Sequence, residues 1–165
     1  MAHHDALTGA NNRRAFEEFM HNMPQTISDR DINVCFALFD VNHFKAVNDS
    51  YGHGVGDQVL KVIAARIGSV LRKGEELFRI GGDEFAVVLP DTDGAAARAV
   101  VDRLSSAFHA ADIAFSLGAA VFVSPPQTVD SALSRVDSLM YAVKADRSKH
   151  TEVCIIGPVQ EPSRA

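Results

Sequence analysis

The sequence predicts an α/β chain of the α+β kind, in which a mixed sheet is packed with helices. Three observations carry that expectation. Helical and strand-like periods follow one another in the order helix, strand, helix, hairpin, helix, strand, helix, strand. The hairpin in the middle requires antiparallel neighbours, which disfavours a purely parallel doubly wound sheet. With 165 residues, 47% of them hydrophobic, the chain is long enough for one sizeable core and short for a second full domain.

Each element has its own signal. Over residues 12–23, Ala15, Phe16, Phe19 and Met20 share one helical face, and Pro24 marks the predicted end. Residues 32–39 are too apolar for a surface helix and stop abruptly at Asp40, as a central strand does. Between Asp40 and Asp57 the chain turns polar and glycine-rich, which predicts a short helix over 44–48 and a loop through SYGHGVG. Val59, Leu60, Val62, Ile63, Ile67 and Val70 then predict a helix over 57–71, packed on one side. Residues 77–80 and 85–89 are the arms of the hairpin, closed by the GGDE turn. An alanine-rich helix is expected over 93–108, and a strand region over 113–123 with Gly118 as a bulge or close backbone approach. After the turn at Ser124, Pro125 and Pro126 come a helix over 129–144 and a short strand over 152–156. Residues 1–157 are expected to form a single domain, and the tail GPVQEPSRA, with 158–165, to be disordered.

Composition excludes several functions. A net charge of -5 leaves no bulk positive field for a polyanion, so no nucleic-acid partner is expected. No apolar run is long enough to cross a bilayer, and MAHHDAL lacks the apolar core of a signal peptide, so a cytoplasmic chain is expected. Cys35 and Cys154, each in an apolar strand-like run, are expected to be buried free thiols rather than a disulfide. His3 and His4 resemble a tag remnant or frayed end, and the other histidines lack zinc spacing.

The chemistry concentrates in RIGGDEFAVVLP, where Gly81, Gly82, Asp83 and Glu84 lie between two apolar runs. If the strand ending at Asp40 lies beside the hairpin, Asp40, Asp83 and Glu84 share one edge of the sheet. Such hard oxygen ligands favour Mg2+ or Mn2+ over zinc, and magnesium shares its shell with substrate phosphates. The alternative is a solvated turn whose acids touch nothing. Phe44, Lys45, Asn48 and Asp57 form a second group. A carboxylate can accept from guanine N1–H and its exocyclic amine while an Asn amide donates to ring acceptors. The alternative is capping, with Asp57 an N-cap or first-turn acid and Asn48 near a helix C-terminus.

Several separated motifs resemble those of the GGDEF domains of bacterial diguanylate cyclases. DALTGANNRRAF, FDVNHFKAVNDSYGHGVGDQVL, RIGGDEFAVVLP, FSLGAA and DSLMYAVK occur in the family's order, from Asp5 to about Ile156. The resemblance implies a nucleotidyl-cyclase-like fold, with a largely antiparallel central sheet wrapped by helices and related to polymerase-palm and ferredoxin-like folds. It implies condensation of two GTP into cyclic di-GMP with release of pyrophosphate, at the interface of a homodimer whose two half-sites each present one GTP. By the same resemblance Asp40, the Val41 carbonyl, Asp83 and Glu84 hold the metal, and Asp83 and Glu84 are catalytic, with Glu84 close to the nucleophile. Gly81 and Gly82 let the turn approach the phosphates, the backbone at Phe44 and Lys45 cradles the terminal phosphates, and Asn48 and Asp57 read guanine. An upstream sensory or receiver domain usually pairs two such domains.

The chain departs from the family pattern at three places. Asn42 stands where a second Asp is frequent. The ending AKxxGRN is altered: Lys144 matches the phosphate-binding lysine, but ADRSKH moves the arginine to Arg147, so Arg147 or Lys149 is the candidate replacement. The feedback site, usually RxxD, reads Arg72, Lys73, Gly74, Glu75; this is either a product site with a longer acid or a solvated loop. Two rival functions follow: a non-catalytic GTP- or cyclic di-GMP-binding regulatory module, and a purely structural dimerisation domain that leaves the acids unexplained.

Overall fold

The computed structural model describes residues 3–30, 33–122, 129–145 and 151–156. Its elements run α1 (Arg13–Arg30), β1 (Val34–Val41), α2 (Phe44–Tyr51), α3 (His53–Val70), β2 (Glu76–Arg79), β3 (Glu84–Pro90), α4 (Gly94–Ala110), β4 (Phe115–Phe122), α5 (Val129–Ala145) and β5 (Thr151–Ile156). The strands form one sheet in the order β2-β3-β1-β4-β5. Every pairing is antiparallel except the one between β4 and β5. The predicted mixed sheet with helices is therefore the observed one, with β1 at its centre.

Helices cover both faces, which is why β1 and β4 are buried along their whole length and mostly apolar. Alternation along β1 sends Cys35, Ala37, Phe39 and Val41 to one face, where α3 contributes Leu60, Ile63 and Ile67 and α4 contributes Val101, Leu104 and Phe108. Val34, Phe36 and Leu38 point the other way, into a second cluster with Phe16, Met20, Met23 and Ile27 of α1 and Met140 of α5. Phe39 stacks on Phe85 at 5.3 Å and meets Phe108 edge-on at 5.1 Å, while Phe108 stacks on Phe115 at 4.4 Å. Each such pair adds about 0.5–1.5 kcal/mol beyond area burial, so this aromatic layer stiffens the end of the sheet where β1 finishes.

Four features differ from the sequence reading. The first helix does not stop at Pro24 but runs to Arg30. A helix-interior proline costs about 3 kcal/mol, whereas burying a side chain such as Met or Ile contributes about 1.5–3 kcal/mol; Met23 and Ile27, both in the core, together outweigh the break. The segment SYGHGVG is not a loop. Only Gly52, at φ 88°, separates α2 from α3, which begins at His53. Val62, expected on the packed face of that helix, is exposed. The β1–β4 register passes regularly through Leu38 opposite Gly118, with no bulge. The expected tail and the turn at Ser124, Pro125 and Pro126 lie outside the described residues.

The N-terminal segment is integrated rather than frayed: His4 forms a β-bridge with Asn11, and Asn12 N–H donates to the His3 carbonyl. Asn12 Oδ1 then accepts from Ala15 N–H and caps α1. Asp5 is the hinge pin of this segment. It accepts from the Thr8 amide and hydroxyl at 2.9 and 2.8 Å, and Arg79 Nη1 reaches both of its oxygens at 3.2 and 3.1 Å. Arg79 Nε and Nη2 also donate to the Gly82 carbonyl, so one guanidinium ties the hairpin turn to a loop 74 residues away. Burial raises the Asp5 pKa, but the Thr8 hydrogen bonds and the Arg79 guanidinium outweigh it and hold the carboxyl below its ordinary value.

Two predictions follow from this packing. A depressed folded pKa contributes stability that is present above the unfolded value of about 4 and lost as pH falls through the lower folded value. Arg79→Ala is therefore expected to destabilise the chain by about 1.5–3 kcal/mol in urea unfolding at neutral pH, and by less at about pH 3. An equal penalty at both pH values would rule out the Asp5 link. Burial, aided by the Glu75 carboxylate, pushes the Cys35 thiol up to about 12. In a Cys154→Ser background the native protein should resist iodoacetamide at pH 8 and react only after unfolding.

Candidate active site

Pleat and register assemble the site. Asp40, the penultimate residue of β1, pairs with Glu84 on β3 and with Ser116 on β4, giving a polar row across three strands. Its neighbours in sequence, Phe39, Phe85 and Phe115, point through the sheet into the aromatic layer on the opposite face. Asp40 is only 8% exposed, Glu84 is half-buried, and Asp83 is half-buried in the turn just before β3. Asn42 N–H bonds to the Ala114 carbonyl on the β4 side. Because strand residues alternate in the direction of their backbone groups, the Val41 N–H and C=O face the β3 side, toward the hairpin turn.

Of the three acids expected to share one edge, the register sets Asp40 opposite Glu84, and Asp83 lies in the turn just before Glu84. Among the described residues, no group of three or more His, Cys, Asp or Glu side chains comes together as a metal cluster. Asp83 precedes the strand, in the bend before β3, so the register fixes Glu84 opposite Asp40 and leaves the placement of Asp83 to the turn. The register places Asp40 beside Glu84 with Asp83 adjoining, and oxygen donors of this kind suit Mg2+ or Mn2+ completed by water and phosphate.

The turn itself is bare. Ile80 N–H and Gly81 N–H both donate to the Glu84 carbonyl, at 2.9 and 3.2 Å, which folds residues 80–84 tightly. Neither Gly81 nor Gly82 has a positive φ. A Cβ on Gly81 would make ordinary contact with Glu84, and one on Gly82 would meet nothing within 4 Å. The protein's own packing thus gives no reason for two glycines here. A cavity of about 350 Å³ opens beside Glu84, lined by Arg13, Glu17 and Asp137 among others.

Beyond β1 the chain enters α2 through His43, in the left-handed region at φ 59° and making no side-chain cap. The first amides of α2, at Phe44 and Lys45, are therefore left without a side-chain acceptor, an arrangement suited to anions. Phe44 is half-buried against the core, whereas Lys45 is exposed. Asn48 uses its backbone carbonyl to receive Gly52 N–H at 2.8 Å, and its side chain lies over Gly56 of α3. The capping alternative for Asp57 does not hold: the N-cap of α3 is Gly52, and Asp57 is exposed on that helix beside Gly56.

Lys144 lies in the last turn of α5, while Arg147 and Lys149 fall outside the described residues. At the candidate feedback site, Glu75 Oε1 accepts from the Arg72 amide at 2.6 Å and from Arg103 Nη2 of α4 at 2.8 Å. Arg72 and Glu75 border a cavity of about 540 Å³ together with Lys73 and Thr8. Glu75 is thereby largely buried, whereas Arg72 is exposed.

Sequence reasoning missed three residues around the site. Arg79 and Asp5 clamp the turn, and Ser116 donates to Asn42 Oδ1 at 2.8 Å, fixing the corner between β1 and α2. Arg79 stands next to the turn in the sequence, but its acidic partner is too remote to find by spacing. Ser116 carries no signal until β4 is known to lie beside β1.

Comparison with known proteins identifies the family. The sequence profile of the family described as "Diguanylate cyclase, GGDEF domain" matches residues 2–150. The uncharacterized protein YhcK of Bacillus subtilis is 37% identical across 93% of this chain and 45% of its own length. Diguanylate cyclase DgcP of Pseudomonas aeruginosa is 33% identical across 90% of this chain and 23% of its own length. The chain thus spans less than half the length of these curated relatives. The GGDEF domain of DgcB from Caulobacter crescentus, crystallised in complex with c-di-GMP, superposes with a TM-score of 0.82 at 26% identity, covering 95% of this chain and 96% of that one. With the acidic row at the end of β1, the glycine turn of the hairpin and the family profile across nearly its whole length, this chain belongs to the diguanylate cyclase GGDEF-domain family.

Proposed function

We propose that this chain is an active diguanylate cyclase domain that condenses two GTP into cyclic di-GMP and two pyrophosphates, between the half-sites of a homodimer. The observation that carries the proposal is the direct pairing of Asp40 with Glu84 beside an unobstructed glycine turn. Like charges placed opposite each other repel, and a divalent cation bridging to a triphosphate offsets that repulsion. Asp40, the Val41 carbonyl, Asp83 and Glu84 are the residues that would hold Mg2+ or Mn2+. When bound, the ion supplies Lewis-acid stabilisation of charge on the phosphates and the attacking oxygen.

The protein's own residues then have separable roles. The open surface at Gly82 admits the triphosphate close to backbone, and the uncapped start of α2 receives the terminal phosphates through the Phe44 and Lys45 amides. Lys144 and Arg147 or Lys149 supply further phosphate contacts. Asn48 and Asp57 hold guanine, which orients the 3'-hydroxyl toward the partner half-site. Glu84 accepts the proton of that hydroxyl as its oxygen bonds to the α-phosphorus of the other GTP and pyrophosphate leaves. Two such steps close the ring. GTP as substrate places the reaction in the cytoplasm, and an upstream sensory or receiver domain would pair the two half-sites by raising their effective concentration. Arg72 and Glu75, closed by Arg103, form the candidate product-feedback site.

The test is incubation of concentrated protein with GTP and Mg2+, followed by chromatography for cyclic di-GMP. Glu84→Gln keeps the shape of the side chain but removes the base, so turnover should fall by about 100-fold or more with an unchanged far-UV CD spectrum. Wild-type protein that binds GTP but yields no product, even after forced dimerisation, would favour the non-catalytic regulatory module. Asp57→Asn replaces an acceptor with a mixed donor and acceptor, and is expected to raise KM for GTP by about tenfold with less effect on kcat. A kcat loss with unchanged KM would remove Asp57 from base recognition.

A further inference from the structure

We propose that Gly56 is a positioning residue for base recognition: its missing side chain is the seat in which the Asn48 carboxamide rests. The inference rests on the assignment of Asn48 to guanine made above. A Cβ built on Gly56 would collide with Asn48 Oδ1 and lie 2.9 Å from Asn48 Cγ and 3.2 Å from Phe44 Cζ. The carboxamide of α2 therefore fills the volume that any side chain at position 56 would claim.

Backbone conformation gives no competing reason for glycine at this position. Gly56 is buried inside α3 and is not among the positive-φ glycines, so alanine fits its conformation and is the better helix former. Two other glycines of the same helix, Gly54 and Gly68, face open space, where an added Cβ meets nothing within 4 Å. Crowding is thus particular to position 56, and the atoms crowded belong to two residues of the proposed nucleotide site. Asp57 follows directly in the chain, so the seat sets where Asn48 lies relative to the carboxylate that completes base recognition.

The close contact also predicts how an alanine is accommodated. The group that must move is the end of a side chain rather than backbone, so Asn48 rotates away while the helix pair stays folded. Guanine then loses one of its polar partners, and discrimination against adenine narrows.

The experiment compares Gly56→Ala, Asn48→Ala, the double variant and Gly68→Ala. Asn48 side-chain NH2 resonances are followed by NMR in ligand-free protein, and GTP and ATP affinities are measured by calorimetry with Mg2+. Gly56→Ala is expected to shift the Asn48 resonances, weaken GTP binding about tenfold and narrow the preference for GTP over ATP, as Asn48→Ala does. The double variant should bind no worse than Asn48→Ala alone, because both changes act through one carboxamide. Gly68→Ala should change neither readout. Unmoved Asn48 resonances, or wild-type GTP affinity in Gly56→Ala when Asn48→Ala has lost it, overturn the seat. Wild-type affinity in Asn48→Ala overturns the base-reading assignment itself, and the proposal with it. Should Gly56→Ala fail to fold, the double variant must restore folding; if it does not, the crowding does not run through Asn48 and the proposal fails.

Discussion

Register between β1 and its two neighbours is the constraint on which the rest of this molecule depends. A strand presents alternate residues to opposite faces, so the pairing that sets Asp40 against Glu84 and Ser116 simultaneously sets Phe39 against Phe85. The phenyl rings cannot leave the core without large loss of burial, and that holds the acids at the strand end. A slip of one residue would turn the carboxylates into the aromatic layer and the rings toward the site. The core thus places the chemistry without touching it.

Around this row the fold separates two tasks. The hairpin turn has an unobstructed surface at Gly82, while the α2 and α3 pair carries Asn48 and Asp57, the residues proposed to read a base. Gly52 makes the separation possible: its positive φ lets the chain leave α2 and start α3 with a single residue between them. The two helices then come close enough for Asn48 to lie against Gly56. Ser116 fixes the corner through Asn42, and Arg79 holds the turn through the Gly82 carbonyl. Both act on the position of the site from residues that lie outside it.

The same economy recurs away from the site. Glu75 receives both the Arg72 amide and the Arg103 guanidinium through one oxygen, so the α3–β2 loop and α4 are joined at a point bordering a cavity. The Asp5 carboxylate does the equivalent for the N-terminal segment and the hairpin. Each is a charged group that burial alone would destabilise, retained because several donors converge on it.

The sequence by itself determined the number and order of the elements, because apolar period and turn chemistry are local properties. It also made the candidate acids, glycines and amides legible, because they stand in compact motifs of residue types that suit phosphate and guanine chemistry. It failed where local signals were overruled: Pro24 lies within α1 because Met23 and Ile27 are buried on the sheet, and all of SYGHGVG except Gly52 is helical because α2 and α3 pack together. Only tertiary structure decided that Asp40 stands opposite Glu84, since strand register and not sequence spacing sets which residues face each other. Only tertiary structure, too, brought Asp5 to Arg79 and Ser116 to Asn42, each pair separated by 74 residues. Contacts of that span are made by the sheet and leave no period in the chain.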